Sequence, residues 1–514
     1  MKSKSKKSIC NFCSAVIYKL IVIVVGLLLP KLFITSYGSE LNGLRDSVKQ
    51  IFTYIALLES GIGAATLQSL YRPVAKEDHD TTNSYLSAAS TYYNKIGLLY
   101  FIALTVLGTI YALAVPVESV TKWEVFVYVL VSGALTGINF FYLAKLKLLI
   151  SAEGDQYIVS IVTMVTYVVS SIIKIVLIYC GVHIIVVEAA FLFINLSATG
   201  VYYLIAKRKY SWISFHAKPD YECVKQRGSV MVHRVASVVF QNTDVVLLTF
   251  FCNLEVVSIY GMYKMIVNMV TSIVSEIGNS INFMLGQNFN SEDENKEQYC
   301  AMIDVFNVYY SAVSFALYTV TYILILPFLR IYTEGMDINY IYTILPSFYI
   351  VMELLMVGRE AMMRTIEVAG HFKKTQWRTL TEAAINLSSS IIFILIGKHF
   401  YGNIGGVYGV LLGTIVALLY RTIDMNLYAN KRILNRSSLK SFAIMITNAV
   451  LLLCIAFVFR FVHLDIGGYG EFFLYGAVIS LGSLLLFLLV QSLLNIKELK
   501  FMCAYVRTKT KKRH

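Results

Sequence analysis

Apolar runs of about 20 residues recur along this chain from one end to the other, and each is long enough to cross a bilayer as a helix. A soluble core accounts for a few such runs, not for a dozen. Charge points to the same solvent. Only 15% of the 514 residues are charged, 57% are hydrophobic and the mean hydropathy is +0.66, whereas soluble domains carry roughly 25% charge. Backbone polar groups in lipid are satisfied only inside helices or closed barrels. The runs are continuous rather than alternating, so a β-barrel is excluded and the fold class is an all-α polytopic membrane protein. Hydropathy places about 14 spans, at residues 10–35, 41–70, 84–115, 121–149, 155–180, 183–206, 229–252, 256–286, 299–331, 338–369, 377–397, 404–430, 440–462 and 470–495.

The net charge of +13 is distributed as short flanks: Lys2 to Lys7, Lys207 to Arg227, Lys431 to Lys440 and Arg507 to Arg513. Cations in that position set orientation by the positive-inside rule and meet anionic headgroups. No basic domain stands outside the membrane, so no nucleic acid is expected as a partner. With the N-terminus in the cytoplasm, Arg72, Lys76, Lys296 and Lys373 to Arg378 fall on that same side. The opposite loops hold only a few cations, such as Lys122, Arg330 and Lys398. Both termini are therefore expected to be cytoplasmic. The stretch Ala15 to Thr35 is too long for a signal peptide and lacks a small-residue cleavage site, so it reads as a retained first span.

A shift of about 217 residues aligns Glu59 with Glu276, Gly61 with Gly278 and Tyr92-Tyr93 with Tyr309-Tyr310, a weak internal repeat of the parallel kind. It implies two six-helix lobes and an added pair. The expected division is 1–206 for the first lobe, 207–228 for a cytoplasmic linker, 229–430 for the second lobe, 431–495 for the extra helices and 496–514 for a basic tail. Two such lobes place a substrate cavity between them and rock for alternating access.

Ionisable residues inside apolar spans cost several kcal/mol if they face lipid, so they mark the interior. At 100° per residue, Arg45, Lys49 and Glu59 share one face of the second span. Lys264, Asn268, Thr271, Ser275 and Asn282 share a face of the eighth. Glu353, Glu360, Arg364 and Glu367 share a face of the tenth, with Arg359 pointing elsewhere. Glu360 with Arg364, and Arg421 with Asp424, have helical ion-pair spacing. Lys95 and Lys264 have no acid one turn away, and an intramembrane cation suits an anionic group such as a pyrophosphate. The substrate-binding candidates are Arg45, Lys49, Lys95, Arg234, Lys264 and Arg364. Asp244, Glu59 and Glu353 are the ion-coupling candidates. For Asp244, protonation or Na⁺ binding and an ion pair with a neighbouring helix both stay open.

Most of the 36 Tyr are expected at span ends, as interfacial belts. Gly405, Gly409 and Gly413 have the small-xxx-small spacing of close helix packing. Cys10 and Cys13 lack the second pair that a metal site needs, the His residues form no metal-like cluster, and no nucleophile elbow, P-loop or kinase signature occurs. No catalytic residue, metal or cofactor is expected, and the chain is not read as an enzyme.

Tyr37-Gly38, Glu59-Ser60-Gly61-Ile62-Gly63 and Tyr71-Arg72-Pro73, then Asn242-Thr243-Asp244 with Tyr260 and Tyr263-Lys264, then Gly370 to Gln376 with Glu382, Asn386 and Gly406 to Gly413, follow one another across nearly the whole chain. In that order they resemble the polysaccharide-export branch of the multidrug/oligosaccharidyl-lipid/polysaccharide flippase superfamily, the Wzx-like transporters. The resemblance implies a two-lobed helical fold similar to that of MATE transporters, a cationic cavity, and transport of an undecaprenyl-diphosphate-linked oligosaccharide across a bacterial inner membrane. Its partners would be the lipid-linked glycan, membrane lipid and other polysaccharide-assembly membrane proteins. The rival readings are a multidrug or organic-cation antiporter of the same superfamily and a membrane glycan polymerase. The intramembrane cations argue against the first, and the short outer loops against the second.

Overall fold

The computed structural model describes residues 2–59, 62–215, 217–224, 238, 242–280, 296–462, 464 and 466–511. Among them every regular element is helical, as lipid requires. The helices are α1 (Lys2–Ile55), α2 (Ile62–Ala75), α3 (His79–Ala114), α4 (Lys122–Tyr142), α5 (Ala144–Ala152), α6 (Gln156–Tyr179), α7 (Ile184–Lys209), α8 (Asn242–Phe251), α9 (Leu254–Ser280) and α10 (Lys296–Tyr332). They continue with α11 (Leu345–Val368), α12 (Phe372–Tyr428), α13 (Leu439–Phe459), α14 (Tyr469–Leu494) and α15 (Ile496–Lys511).

Ten of these are long and apolar enough to cross a membrane. Two of the ten are double. As a straight rod α1 would be about 80 Å long and α12 about 85 Å, twice a bilayer. Gly38 (φ 87°) breaks the first and Gly402 (φ 64°) the second, at backbone angles that favour glycine. The ten leave out α11, the tenth span expected from sequence, which carries five charged residues, and the short α8.

The chain is a multi-pass membrane protein, and it forms two compact units, residues 1–258 with 335–338, and 259–334 with 339–514. α8 and the start of α9 belong to the first.

The repeat is visible in the helix ends. Shifted by about 217 residues, His79–Ala114 falls on Lys296–Tyr332 almost end to end. The same shift brings the start of α6 within a residue or so of the start of α12, and the end of α7 close to the end of α12.

In the first unit, the half of α1 after Gly38 is the central packing element. Gly43 lies so close to the next layer that a Cβ there would sit 1.8 Å from the Leu254 carbonyl oxygen. Ser47 Oγ lies 2.6 Å from the Tyr111 hydroxyl and 2.5 Å from Thr249 Oγ1. In the second unit α10 packs against α11, α13, α14 and α15. α12 folds back on itself at Gly402, and its glycines set the spacing. A Cβ on Gly405 would meet the Gly397 carbonyl oxygen at 1.9 Å, and one on Gly409 the Phe393 oxygen at 2.2 Å. The glycine series is a packing seam, as its spacing indicates.

The tyrosines correct an expectation. Seven of the twelve largest fully buried side chains are Tyr. Their hydroxyls find partners inside the protein: Tyr100 donates to the Gly133 oxygen at 3.1 Å and Tyr263 to the Tyr340 oxygen at 2.9 Å, and Tyr111 meets Ser47 Oγ at 2.6 Å. A buried phenol supplies aromatic bulk and finds a carbonyl acceptor, so many tyrosines fill the interior rather than the interfacial belt.

Candidate substrate and coupling sites

The first unit gathers its in-span charges around the second half of α1. Arg45 lies with its guanidinium carbon 4.8 Å from the Phe33 ring centre and its Nη2 3.2 Å from Asp46 Oδ1. Lys174 of α6 is paired with Glu188 of α7, both about nine-tenths buried, and its Nζ lies 5.2 Å from the Phe191 ring centre. Lys174 is in electrostatic reach of Arg45 and Lys49, and Arg45 of Glu188 and Tyr128. These groups form one cluster with three cations and two carboxylates. Lys49 is exposed.

After Ile55 the α-helix continues as a 3₁₀ turn, Ala56–Glu59, where each residue turns about 120° instead of 100°. The Tyr93 hydroxyl donates to Glu59 at 2.9 Å and the Gly63 amide at 3.2 Å. Lys95 is exposed on α3, away from the buried face that carries Tyr93 and Tyr100. Asp244 is buried on α8, and its neighbour Thr243 lies 2.9 Å from the Tyr54 hydroxyl. Arg234 and Asn282 lie outside the described residues.

The second unit is built differently. The Tyr318 hydroxyl of α10 donates to Glu353 Oε2 of α11 at 2.9 Å and lies 3.0 Å from Thr271 Oγ1 of α9. Among the described residues no cation comes within ion-pair distance of Glu353; Lys264 and Arg359 are the cations in its electrostatic reach. Lys264 Nζ lies 5.2 Å from the Tyr260 ring centre. Two turns along α11, Arg364 pairs with Glu360 at 2.5 Å, reaches Asn279 Oδ1 at 3.0 Å and faces Glu367 at 3.7 Å. The ion-pair spacing of Glu360 and Arg364 is therefore realised. Lys264 and Arg364 stand against Glu353, Glu360 and Glu367, two cations to three carboxylates.

Arg359 points to the other side of α11, as its helical angle indicates. It pairs with Glu382 of α12 at 2.6 Å, and Glu382 also faces Arg421. Arg421 pairs with Asp424 at 3.0 Å, and Asp424 is bound by Arg378 as well. These side chains leave no more than a tenth of Arg359, Glu382 or Arg421 exposed, so the network ties α11 to both halves of α12.

Glu188 and Tyr318 escape a reading confined to single helices. Glu188 has a visible signal, one acid in an apolar run, but its partner is on the preceding helix. Tyr318 has none, since nothing distinguishes it from other intramembrane tyrosines. Outside the spans, His371 has Tyr428 Oη 3.1 Å from Nδ1 and Lys374 Nζ 3.1 Å from Nε2. Partial burial and the Lys374 charge hold its pKa below the usual histidine value. An ammonium only donates, so Nε2 accepts and the ring is neutral with its proton on Nδ1.

No family model matches the chain, and no curated protein matches it. Solved structures do. The chain is similar to the lipid II flippase MurJ in an inward closed conformation, with 16% identity and a TM-score of 0.66 over 94% of this chain and 98% of that one. It is also similar to an inward-facing multidrug resistance MATE family transporter of the MOP superfamily, with 16% identity and a TM-score of 0.60 over 82% of this chain and 98% of the other. The two share one fold, and this chain has it. The alignments differ by 12% of this chain, about 62 residues, the size of the C-terminal pair α13–α14.

Proposed function

We propose that the chain is a transporter that flips an undecaprenyl-diphosphate-linked oligosaccharide from the cytoplasmic to the outer leaflet of a bacterial inner membrane by alternating access, for surface polysaccharide assembly. Both termini are then cytoplasmic, and the two six-helix lobes are the moving parts. The observation that carries this reading is the cationic cluster of the first unit. After Lys174 is neutralised by Glu188 and Arg45 is shared with Asp46, a positive charge remains, and Lys49 is exposed to offer it. A diphosphate is the ligand such a cluster favours. The longer overlap with a lipid flippase than with a multidrug transporter supports a lipid-linked substrate. Arg45 and Lys49 would hold the diphosphate first. Lys264, Lys95, Arg234 and Arg364 remain candidates for later contacts, and Glu353, Asp244 and Glu59 for ion coupling. Transport of this kind makes and breaks no bond, so the reading needs no catalytic group.

A second reading, an organic-cation antiporter, draws support from Glu353, a partly buried carboxylate held by Tyr318. One experiment separates them. Deleting the gene is expected to leave a lipid-linked glycan accumulated on the cytoplasmic leaflet, restored to the surface by the wild-type chain and not by R45A/K49A. A deletion that leaves glycan lipids unchanged and raises sensitivity to cationic drugs would replace the flippase with the antiporter.

A further inference from the structure

We infer that α15 is a docking helix for anionic phospholipid headgroups of the leaflet in which α14 ends. α14 closes at Asn495, whose backbone (φ −121°, ψ 56°) breaks the helix before α15 begins. Leu493, Leu494 and Ile496 at this junction are 64%, 63% and 50% exposed, as residues in lipid are. Lys497 and Lys500 follow at once and are exposed, which puts them at headgroup depth.

The spacing along α15 is ordered. At 100° per residue, positions 497, 500, 507 and 511, all Lys or Arg, fall within an arc of about 80°. Leu499 and Met502 belong to the opposite side and are partly buried, and α15 packs on α10. The helix thus faces the protein with Leu499 and Met502 and carries Lys497 and Lys500 away from it, while Lys509 falls on the Met502 side by the same count.

The only acid on α15 is already engaged. Glu498 binds Lys440 of α13 at 2.5 Å, and Lys440 also binds Asp304 of α10 at 2.6 Å. Asp304 in turn holds Arg436 at 2.7 Å. The carboxylate that would offset the stripe is turned into a tether, and the stripe keeps its full charge for an external anion. A basic, amphipathic segment directly beyond a membrane helix complements anionic lipid in this way.

The test uses the full chain in two kinds of nanodisc, pure phosphatidylcholine and an equimolar mixture with phosphatidylglycerol, followed by amide hydrogen exchange. Exchange across 496–511 is expected to slow in the anionic discs. The gain should fall about fivefold for each lysine neutralised, so that K497Q and K497Q/K500Q form a graded series. It should vanish near 1 M salt, where the Debye length is about 3 Å. Both lysines are exposed, and unchanged protection in α10 and α13 will show that the variants fold. Equal exchange of 496–511 in the two lipids overturns the inference, as does a slowing that survives salt or K497Q/K500Q.

Discussion

The two units have matching helix ends and differ in how they hold their charges. Helices α3 and α10 begin and end about 217 residues apart, and at that shift Glu59 falls on Glu276 and Arg364 on Lys147, yet the charges clustered around Arg45 have no charged counterpart, and neither has Glu353. Lys174 corresponds to Ile391, Glu188 to Gly405, Arg45 to Met262 and Glu353 to Thr136. The first unit gathers three cations and two carboxylates around α1. In the second, Lys264 and Arg364 stand beside Glu353, Glu360 and Glu367, while Arg359, Arg421 and Arg378 share Glu382 and Asp424, and Glu353 is bound by a neutral tyrosine. A repeated backbone tolerates this because helix packing is set by small residues and apolar surface, while each charge needs only a partner within reach. The halves can therefore specialise chemically without diverging in fold.

The largest test of this contrast strikes the buried networks. E382A would leave Arg359 and Arg421 without their shared carboxylate, and K174A would strand Glu188. Each should cost about 3–5 kcal/mol, because a buried charge is left uncompensated. Thermal unfolding of the detergent-purified protein checks this, and K174M/E188L should restore most of the loss. If the double variant is as unstable as K174A, the loss does not come from a stranded Glu188.

Next come the packing seams. G409L forces a side chain into the Phe393 backbone and is expected to cost about 3 kcal/mol. Leucine at Gly335, where nothing lies within 4 Å of the Cβ position but φ is +80°, should cost less, about 1–2 kcal/mol of backbone strain. The ratio of the two separates close approach from conformation.

The functional contrast is a matched pair of substitutions. R45A/K49A should weaken binding of a diphosphate-linked substrate about 10- to 100-fold, as expected for a lost charge-assisted contact. E353Q should leave that affinity within about twofold while changing the dependence of transport on pH or Na⁺. Substrate titration of the reconstituted protein distinguishes them, and equal losses from both would end the division of labour between the units.

The smallest effect belongs to His371. Its folded pKa is lowered, so the folded state binds fewer protons than the unfolded one. The stability it contributes is present above the unfolded value of about 6.5 and is lost as pH falls through the folded value. Protection factors around 368–376, taken relative to the intrinsic exchange rate at each pH, should fall between pH 8 and pH 5, and H371Q should flatten the change.

Much of the fold is legible in one dimension because lipid allows a chain so few choices. Apolar length sets the passes, and the helical angle separates Arg359 from the Glu353–Arg364 face. The glycine spacing at 405, 409 and 413 announces the seam of α12. No such arithmetic places the buried tyrosines, whose hydroxyls find acceptors on other segments that no local pattern reveals.

What the sequence determined by itself is therefore the solvent, the all-helical class and the residues too polar to face lipid. These follow from hydropathy and helix geometry, which are local. The tertiary structure alone decided which charges meet: Lys174 with Glu188, Glu382 with Arg359 and Arg421, and Glu353 with Tyr318 rather than a cation. Pairing depends on distances between helices far apart in the chain, and within a few ångströms those distances decide whether a charge is neutralised, tethered or left to act on something else.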